Sequence, residues 1–198
     1  MPSSEILFLT SNAHKAAEAR SILNKYGISI IDKSAKGIEI QSDSLADVAR
    51  FCAQDAYKRF GRPLFVEDSG LFIDALHGFP GVYSSTAYAQ IGCPGILRLL
   101  SGLQNRAAQF KCAVAFIDRH GARIFEAESE GSISNEEKGP SGFGYDPIFI
   151  PKGHEKTFAQ DPALKARLSH RARALDALGR YILRLTTGAD PESDPAHA

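Results

Sequence analysis

Glu67-Asp68-Ser69-Gly70-Leu71 directly follows a short apolar run, Pro63-Leu64-Phe65-Val66. The run reads as a buried strand and Gly70 as its breaker. That reading sets two carboxylates and a hydroxyl at the lip of a sheet, where open α/β sheets collect their ligands. Carboxylates there can hold a hard cation or take a proton from water. A further carboxylate, Asp74, and a glycine-proline turn, Gly78-Phe79-Pro80-Gly81-Val82-Tyr83-Ser84, follow at once. The plain alternative is that Asp68 and Ser69 only form a turn.

Three other segments carry chemistry-bearing residues. Thr10-Ser11-Asn12-Ala13-His14-Lys15 joins a first strand to a first helix. Small polar residues, free backbone N–H groups and a lysine at a helix start favour an anion such as phosphate. The segment is not a P-loop, because GxxxxGK[ST] is absent. A simple N-cap with a solvated Lys15 would also explain it. Glu39 interrupts the apolar pair Ile38 and Ile40, a costly place for a carboxylate unless a partner such as a divalent cation shared with Glu67 and Asp68 compensates it. An exposed edge strand would also accommodate it. In Ser141-Gly142-Phe143-Gly144-Tyr145-Asp146-Pro147, glycines alternate with aromatics. Glycines allow close approach of backbone to a ligand, and aromatic faces stack on planar bases. The alternative is a turn whose aromatics belong to the core. Finally, Lys165 and Ser169-His170-Arg171 place donors at a helix start, suited to a base edge or a phosphate, or else forming an exposed cationic helix end. The other histidines, His77, His120, His154 and His197, lack metal-ligand spacing, and no GxSxG signature occurs.

These residues need elements to position them. Glu5–Thr10 reads as a buried strand, then a helix from Asn12 with the stripe Ala16, Ala19, Ile22, Leu23 and Tyr26, ended by Gly27. Ile28–Ile31 reads as a second strand, and Ile38–Ile40 as short and extended. Ser44 opens a helix striped with Leu45, Val48, Ala49, Cys52, Ala53 and Ala56, with Asp47 completing a capping box. Pro94 suits the first turn of a helix closed near Gly102. Gln109–Asp118 and Ala122–Gly131 read as a hairpin around Arg119-His120-Gly121. Asp161-Pro162 starts a helical stretch, and Ser169 caps a last helix carrying Leu175, Leu178, Ile182 and Leu185. Strands and helices mix without strict alternation, so the sheet is expected to be mixed. Residues 1–185 read as one domain, and residues 186–198, rich in Pro, Asp and Ser, as a disordered tail.

Composition narrows the classes. The chain has 198 residues, 43% of them hydrophobic, room for one large or two-lobed domain. Lys+Arg and Asp+Glu both number 23, so no polyanion-binding surface is expected and binding to a nucleic-acid polymer is disfavoured. Cys52, Cys93 and Cys112 form no CxxC and cannot all pair, which points to a reduced compartment. No signal peptide and no membrane-length apolar stretch stands out, so a cytoplasmic protein is expected.

Taken in order, TSNAHK, VEDSGLFIDALHGFPGVYS, GFGYDP and SHR resemble the motifs of the inosine triphosphate pyrophosphatase family over roughly residues 6 to 180. The long second motif looks most like archaeal members. The resemblance implies an elongated, two-lobed α/β fold around a long twisted mixed sheet with flanking helices and a cleft between the lobes. It implies Mg2+-assisted hydrolysis of non-canonical purine nucleoside triphosphates (ITP, dITP, XTP) to monophosphate and pyrophosphate, by a homodimer. Carried over, Thr10, Ser11, Asn12, Ala13, His14 and Lys15 would bind the triphosphate. Glu39 and Asp68 would hold Mg2+, and Asp68 would accept the proton of the attacking water. Ser69 would contact substrate, and Phe143, Gly144, Tyr145 and Asp146 would enclose the base, with Phe143 stacked on it. Lys165, His170 and Arg171 would read the base edge. Glu18 would order the metal or Lys15. Where the family often has a phosphate-binding lysine in the helix before the DSG strand, this sequence offers Gln54, with Lys58 one turn later. The competing readings are a pyrophosphatase for another modified nucleotide and a nucleotide-binding sensor without turnover.

Overall fold

The computed structural model describes residues 5–34, 40–140 and 142–187. Seven strands form one mixed sheet in the order β2-β1-β3-β5-β6-β7, with the two-residue β4 paired to β3. The strands are β1 (Ile6–Leu9), β2 (Ile30–Lys33), β3 (Leu64–Ile73), β4 (Pro80–Gly81), β5 (Ala107–Asp118), β6 (Gly121–Ile133) and β7 (Phe149–Pro151). The helices are α1 (Ala13–Leu23), α2 (Leu45–Phe60), α3 (Ser84–Leu99), α4 (Pro162–Leu168) and α5 (His170–Thr187). β1 runs parallel to β2 and β3, and every other pairing is antiparallel. The mixed sheet expected from the sequence is therefore present. No helix among the described residues is long and apolar enough to cross a membrane.

Local signals set most boundaries. Asn12 caps α1, its Oδ1 accepting from the amides of His14 (3.0 Å) and Lys15 (3.2 Å). Ser44 caps α2 by accepting from Asp47 N, and Ser169 Oγ accepts from Ala172 N in the first turn of α5. Gly27 is left-handed (φ 69°), and Ile28 N donates back to Leu23 O, so Ile28 belongs to the helix end and β2 starts two residues later than expected. α5 runs to Thr187, two residues into the segment read as a tail. The remaining tail residues lie outside the described residues, as does Glu39.

One expectation is overturned. Gly70 does not break β3, which continues through it to Ile73 and pairs with β5 along its whole length. The pairing that stops is with β1, whose last partner is Leu9↔Val66. Glu67 and Asp68 thus sit in mid-strand, one step past the end of a parallel neighbour. Gly70 is there for space: a Cβ would lie 2.2 Å from the Gly81 carbonyl oxygen.

Side chains alternate across a strand, so β3 serves two faces. Phe65 packs with Phe8, Leu23, Val114 and Leu175 between the sheet, α1 and α5. Farther along the same face, Leu71 and Ile73 pack with Ile96, Leu100, Phe110 and Phe149. Glu67 and Ser69 are the polar break between these two cores. Leu64 and Val66 face the other way, towards Leu45, Ala49, Ala53 and Ala56 of α2. On this face two apolar cores share the long strands with a polar seam between them, and a third core lies on the opposite face against α2.

The sequence carries no helix signal for the first half of α3, since Ser84-Ser85-Thr86 favours no helix on its own. Tertiary contacts fix its start: Ser84 Oγ donates to Gly81 O (2.6 Å) and accepts from Leu71 N (2.8 Å). Gly92 (φ 57°, ψ −164°) interrupts the helix just ahead of Pro94.

Candidate active site

A cleft of about 800 Å³ opens at this seam. Ligand sites commonly fall in the range of ~300–1,000 Å³. Thr10, Ser11, Asn12, His14, Lys15, Asp68, Ser69, Phe143, Gly144, Tyr145, Asp146, Lys165, His170 and Arg171 all border it. Ala13 does not border it, its side chain being exposed at the first helical residue, and neither does Glu18.

The α1/α5 side is a web of buried ion pairs. The Glu67 side chain is 0% exposed. Its Oε2 lies 2.7 Å from Lys15 Nζ, and its Oε1 accepts from Arg171 Nε at 3.3 Å and from Cys112 Sγ at 3.3 Å. Arg171 Nη1 donates to Glu18 Oε2 (2.7 Å) and Nη2 to Ser69 Oγ (3.1 Å). Lys165 Nζ bridges Glu18 Oε1 (2.8 Å) and Asp146 Oδ2 (2.7 Å). Burial alone would raise the Glu67 carboxyl, but Arg171 and Lys15 outweigh it and hold it far below the ordinary carboxylate range. Burial likewise works against ionised Glu18, and Arg171 and Lys165 bring its carboxyl down. At Asp146 burial wins and the carboxyl is pushed up despite Lys165. Two readings change. Glu67 Oε1 accepts from two protein donors and its Oε2 is ion-paired with Lys15, so its charge is already compensated inside the protein, and Glu18 pairs with Arg171 and Lys165.

At one end of this web the Phe143 ring lies under Lys165 Nζ (5.5 Å) and Arg171 Cζ (5.7 Å), with the His14 ring 5.3 Å away. Tyr145 is buried, its hydroxyl donating to Ser84 O at 3.2 Å and its ring meeting Tyr88 edge-on. His170 stacks on Phe110 at 4.6 Å, and its Nδ1 has no hydrogen-bond partner among the described residues. Burial, then the Arg171 charge, push its pKa well below 6.5, so the ring is neutral at physiological pH.

Asp68 faces the α2 side and is half-buried, its Oδ1 accepting from the Ser69 amide at 2.9 Å. The wall opposite comes from Val48, Cys52, Asp55 and Arg59 of α2. Neither Gln54 nor Lys58 borders the cleft; the cation that does is Arg59, which pairs with Asp55 at 3.6 Å. Positions 48, 52, 55 and 59 repeat at helical spacing, a periodicity that carries the signal for this wall. Tyr83, Ser84, Ser85, Thr86, Tyr88 and Ala89, at the start of α3, also border the cleft and were not legible without the fold.

No group of three or more His, Cys, Asp or Glu among the described residues is arranged to hold a metal ion. Mg2+ requires less from a protein, using one or two carboxylates and completing its shell with water and substrate phosphates. Asp68 is a hard oxygen donor of that kind.

The Ham1 family model matches residues 6–181. A dITP/XTP pyrophosphatase of Ignicoccus hospitalis is 46% identical over 185 residues, 92% of this chain and 98% of the relative. One from Methanopyrus kandleri is 44% identical over 186 residues, covering 93% and 99%. The solved HAM1 protein of Coxiella burnetii superimposes with a TM-score of 0.80 at 34% identity, covering 93% of this chain and 99% of that one. The Staphylococcus aureus Ham1 protein gives 0.79 at 27% identity, covering 90% and 98%. Motif order, cleft and likeness over nearly the whole length agree, and the chain belongs to the Ham1 family.

Proposed function

We propose that this cleft hydrolyses altered purine nucleoside triphosphates (dITP, ITP and XTP) to the monophosphate and pyrophosphate. The observation that carries the reading is one cleft bordered by three kinds of group. A capped helix start bears Lys15, a half-buried carboxylate stands at Asp68, and an aromatic-cationic end holds Phe143, His170 and Arg171. The relatives named dITP/XTP pyrophosphatases support the same substrate class.

In this reading Thr10 through Lys15 receive the triphosphate, since the positive end of the α1 dipole and the Lys15 ammonium both favour an anion. Asp68 takes the proton from the attacking water. Asp68 and Glu39 would hold Mg2+, which would supply charge neutralisation to the phosphate oxygens. Ser69 contacts substrate and braces Arg171. Phe143 stacks on the base, and Gly144, Tyr145 and Asp146 shape the loop around it. Neutral His170 offers the base edge one ring nitrogen, and Lys165 and Arg171 complete the reading of it. Three of Arg171's donors already serve Glu67, Glu18 and Ser69, so its remaining N–H groups face a 6-oxo acceptor with a fixed geometry. An adenine amino group would leave such donors unpaired, and sites built this way discriminate by ~10⁴–10⁵. In the same reading the protein acts in the cytoplasm as a homodimer, and the exposed apolar side chains Phe79 and Ile91, which do not border the cleft, are candidates for the shared surface.

The test is pyrophosphate release from a panel of nucleoside triphosphates, with and without Mg2+. Metal-dependent release fastest with ITP, dITP or XTP is expected. A preference for a methylated or pyrimidine nucleotide would replace the substrate class, and binding without release would reduce the protein to a sensor.

A further inference from the structure

We propose that Glu67 is a positioning residue that ties the lysine at the phosphate end of the cleft to the arginine at its base end, so that base recognition is expressed in turnover. The proposal rests on the nucleotide reading above. One carboxylate, wholly enclosed, receives Lys15 from α1 on one oxygen and Arg171 from α5 on the other. These residues are far apart in sequence, and Glu67 is the atom group they share. Lys15 also approaches the Glu67 carbonyl oxygen at 3.5 Å, so the strand holds the ammonium from two directions.

Stability alone gives little reason for this arrangement. Position 67 lies between Phe65 and the Leu71 core on one sheet face, where an apolar residue would join two hydrophobic clusters. Replacing a buried ion pair by apolar residues of similar volume is often neutral or stabilising. What the carboxylate supplies is geometry. Lys15, 18% exposed on the cleft side, is held charged and aimed, and its position is linked to that of a guanidinium also fixed by Glu18 and Ser69. A base paired with Arg171 therefore acts, through Glu67, on the same carboxylate that anchors Lys15.

The experiment measures kcat and KM for ITP and ATP by Mg2+-dependent pyrophosphate release, using the full chain. Glu67→Gln keeps the shape and removes the charge. It is expected to lower kcat for ITP at least tenfold and to shrink the ITP over ATP ratio in kcat/KM, with Glu67→Asp recovering part of both. A purely structural role would lower both substrates equally and leave the ratio unchanged, which would overturn the proposal. A double-mutant cycle, Lys15→Met with Arg171→Lys, tests the link without touching Glu67 and decides the matter even if Glu67→Gln does not fold. The combined loss in kcat/KM for ITP is expected to be at least tenfold smaller than the product of the single losses. An additive cycle would also overturn the proposal. A wild-type chain that releases pyrophosphate from none of the panel would instead defeat the nucleotide reading, and this inference with it.

Discussion

The two faces of β3 carry adjacent carboxylates with opposite circumstances. Glu67 is fully enclosed and shared by two cations and a thiol, whereas Asp68, one residue on, is half-buried against a wall of α2. The first is ion-paired with Lys15 and Arg171, and the second accepts from the Ser69 amide where the strand borders the cleft. The lesson is that a single strand can hold an enclosed, ion-paired carboxylate and a half-exposed one side by side, because alternation sends them into different surroundings. Burial with paired cations fixes a carboxylate in its ionised form as scaffold; partial exposure leaves it available to water.

Asp68→Asn should have the largest effect on activity. Turnover is expected to fall by at least ~10²–10⁴-fold, the range contributed by a positioned base. The melting temperature should hardly move, and a rate within a few-fold of wild type would erase the functional contrast between the faces. Arg171→Ala should affect both stability and selectivity. Removing one partner of a buried ion pair typically costs ~3–5 kcal/mol, read by denaturant unfolding. The ITP over ATP preference should narrow in the same variant, and an unchanged ratio would remove Arg171 from base reading. Gly70→Ala should cost ~1–3 kcal/mol through overpacking, because its new methyl meets the Gly81 carbonyl. Wild-type stability in that variant would mean that β3 and β4 can separate freely.

The smallest expected effect is a pH slope. His170 has a folded pKa below its unfolded value of about 6.5, so the unfolded chain binds more protons as pH falls beneath that value. Its contribution is complete above pH ~6.5 and is lost on acidification, by at most about 1.4 kcal/mol per pH unit. Glu67 behaves in a separate window: its lowered carboxyl contributes fully above the ordinary Glu range and loses that contribution only as pH falls below it. His170→Phe, which can still stack on Phe110, should flatten stability between pH 6.5 and 5 and leave the more acidic limb in place. An unaltered slope in urea titrations would show that His170 does not titrate with unfolding.

The caps at Asn12, Ser44 and Ser169, the β5–β6 hairpin and the α2 stripe were all legible from residues alone. Each depends on groups a few positions apart, where propensity and local hydrogen bonding decide the outcome. Only the tertiary structure assigned Glu67 to Lys15 and Arg171, made Gly70 a place of close approach rather than a strand end, and put Arg59 instead of Lys58 on the cleft. Those outcomes depend on which strand stops first and which helix face packs inward. They are set by pairings between residues as distant as 67 and 171, which no local pattern encodes.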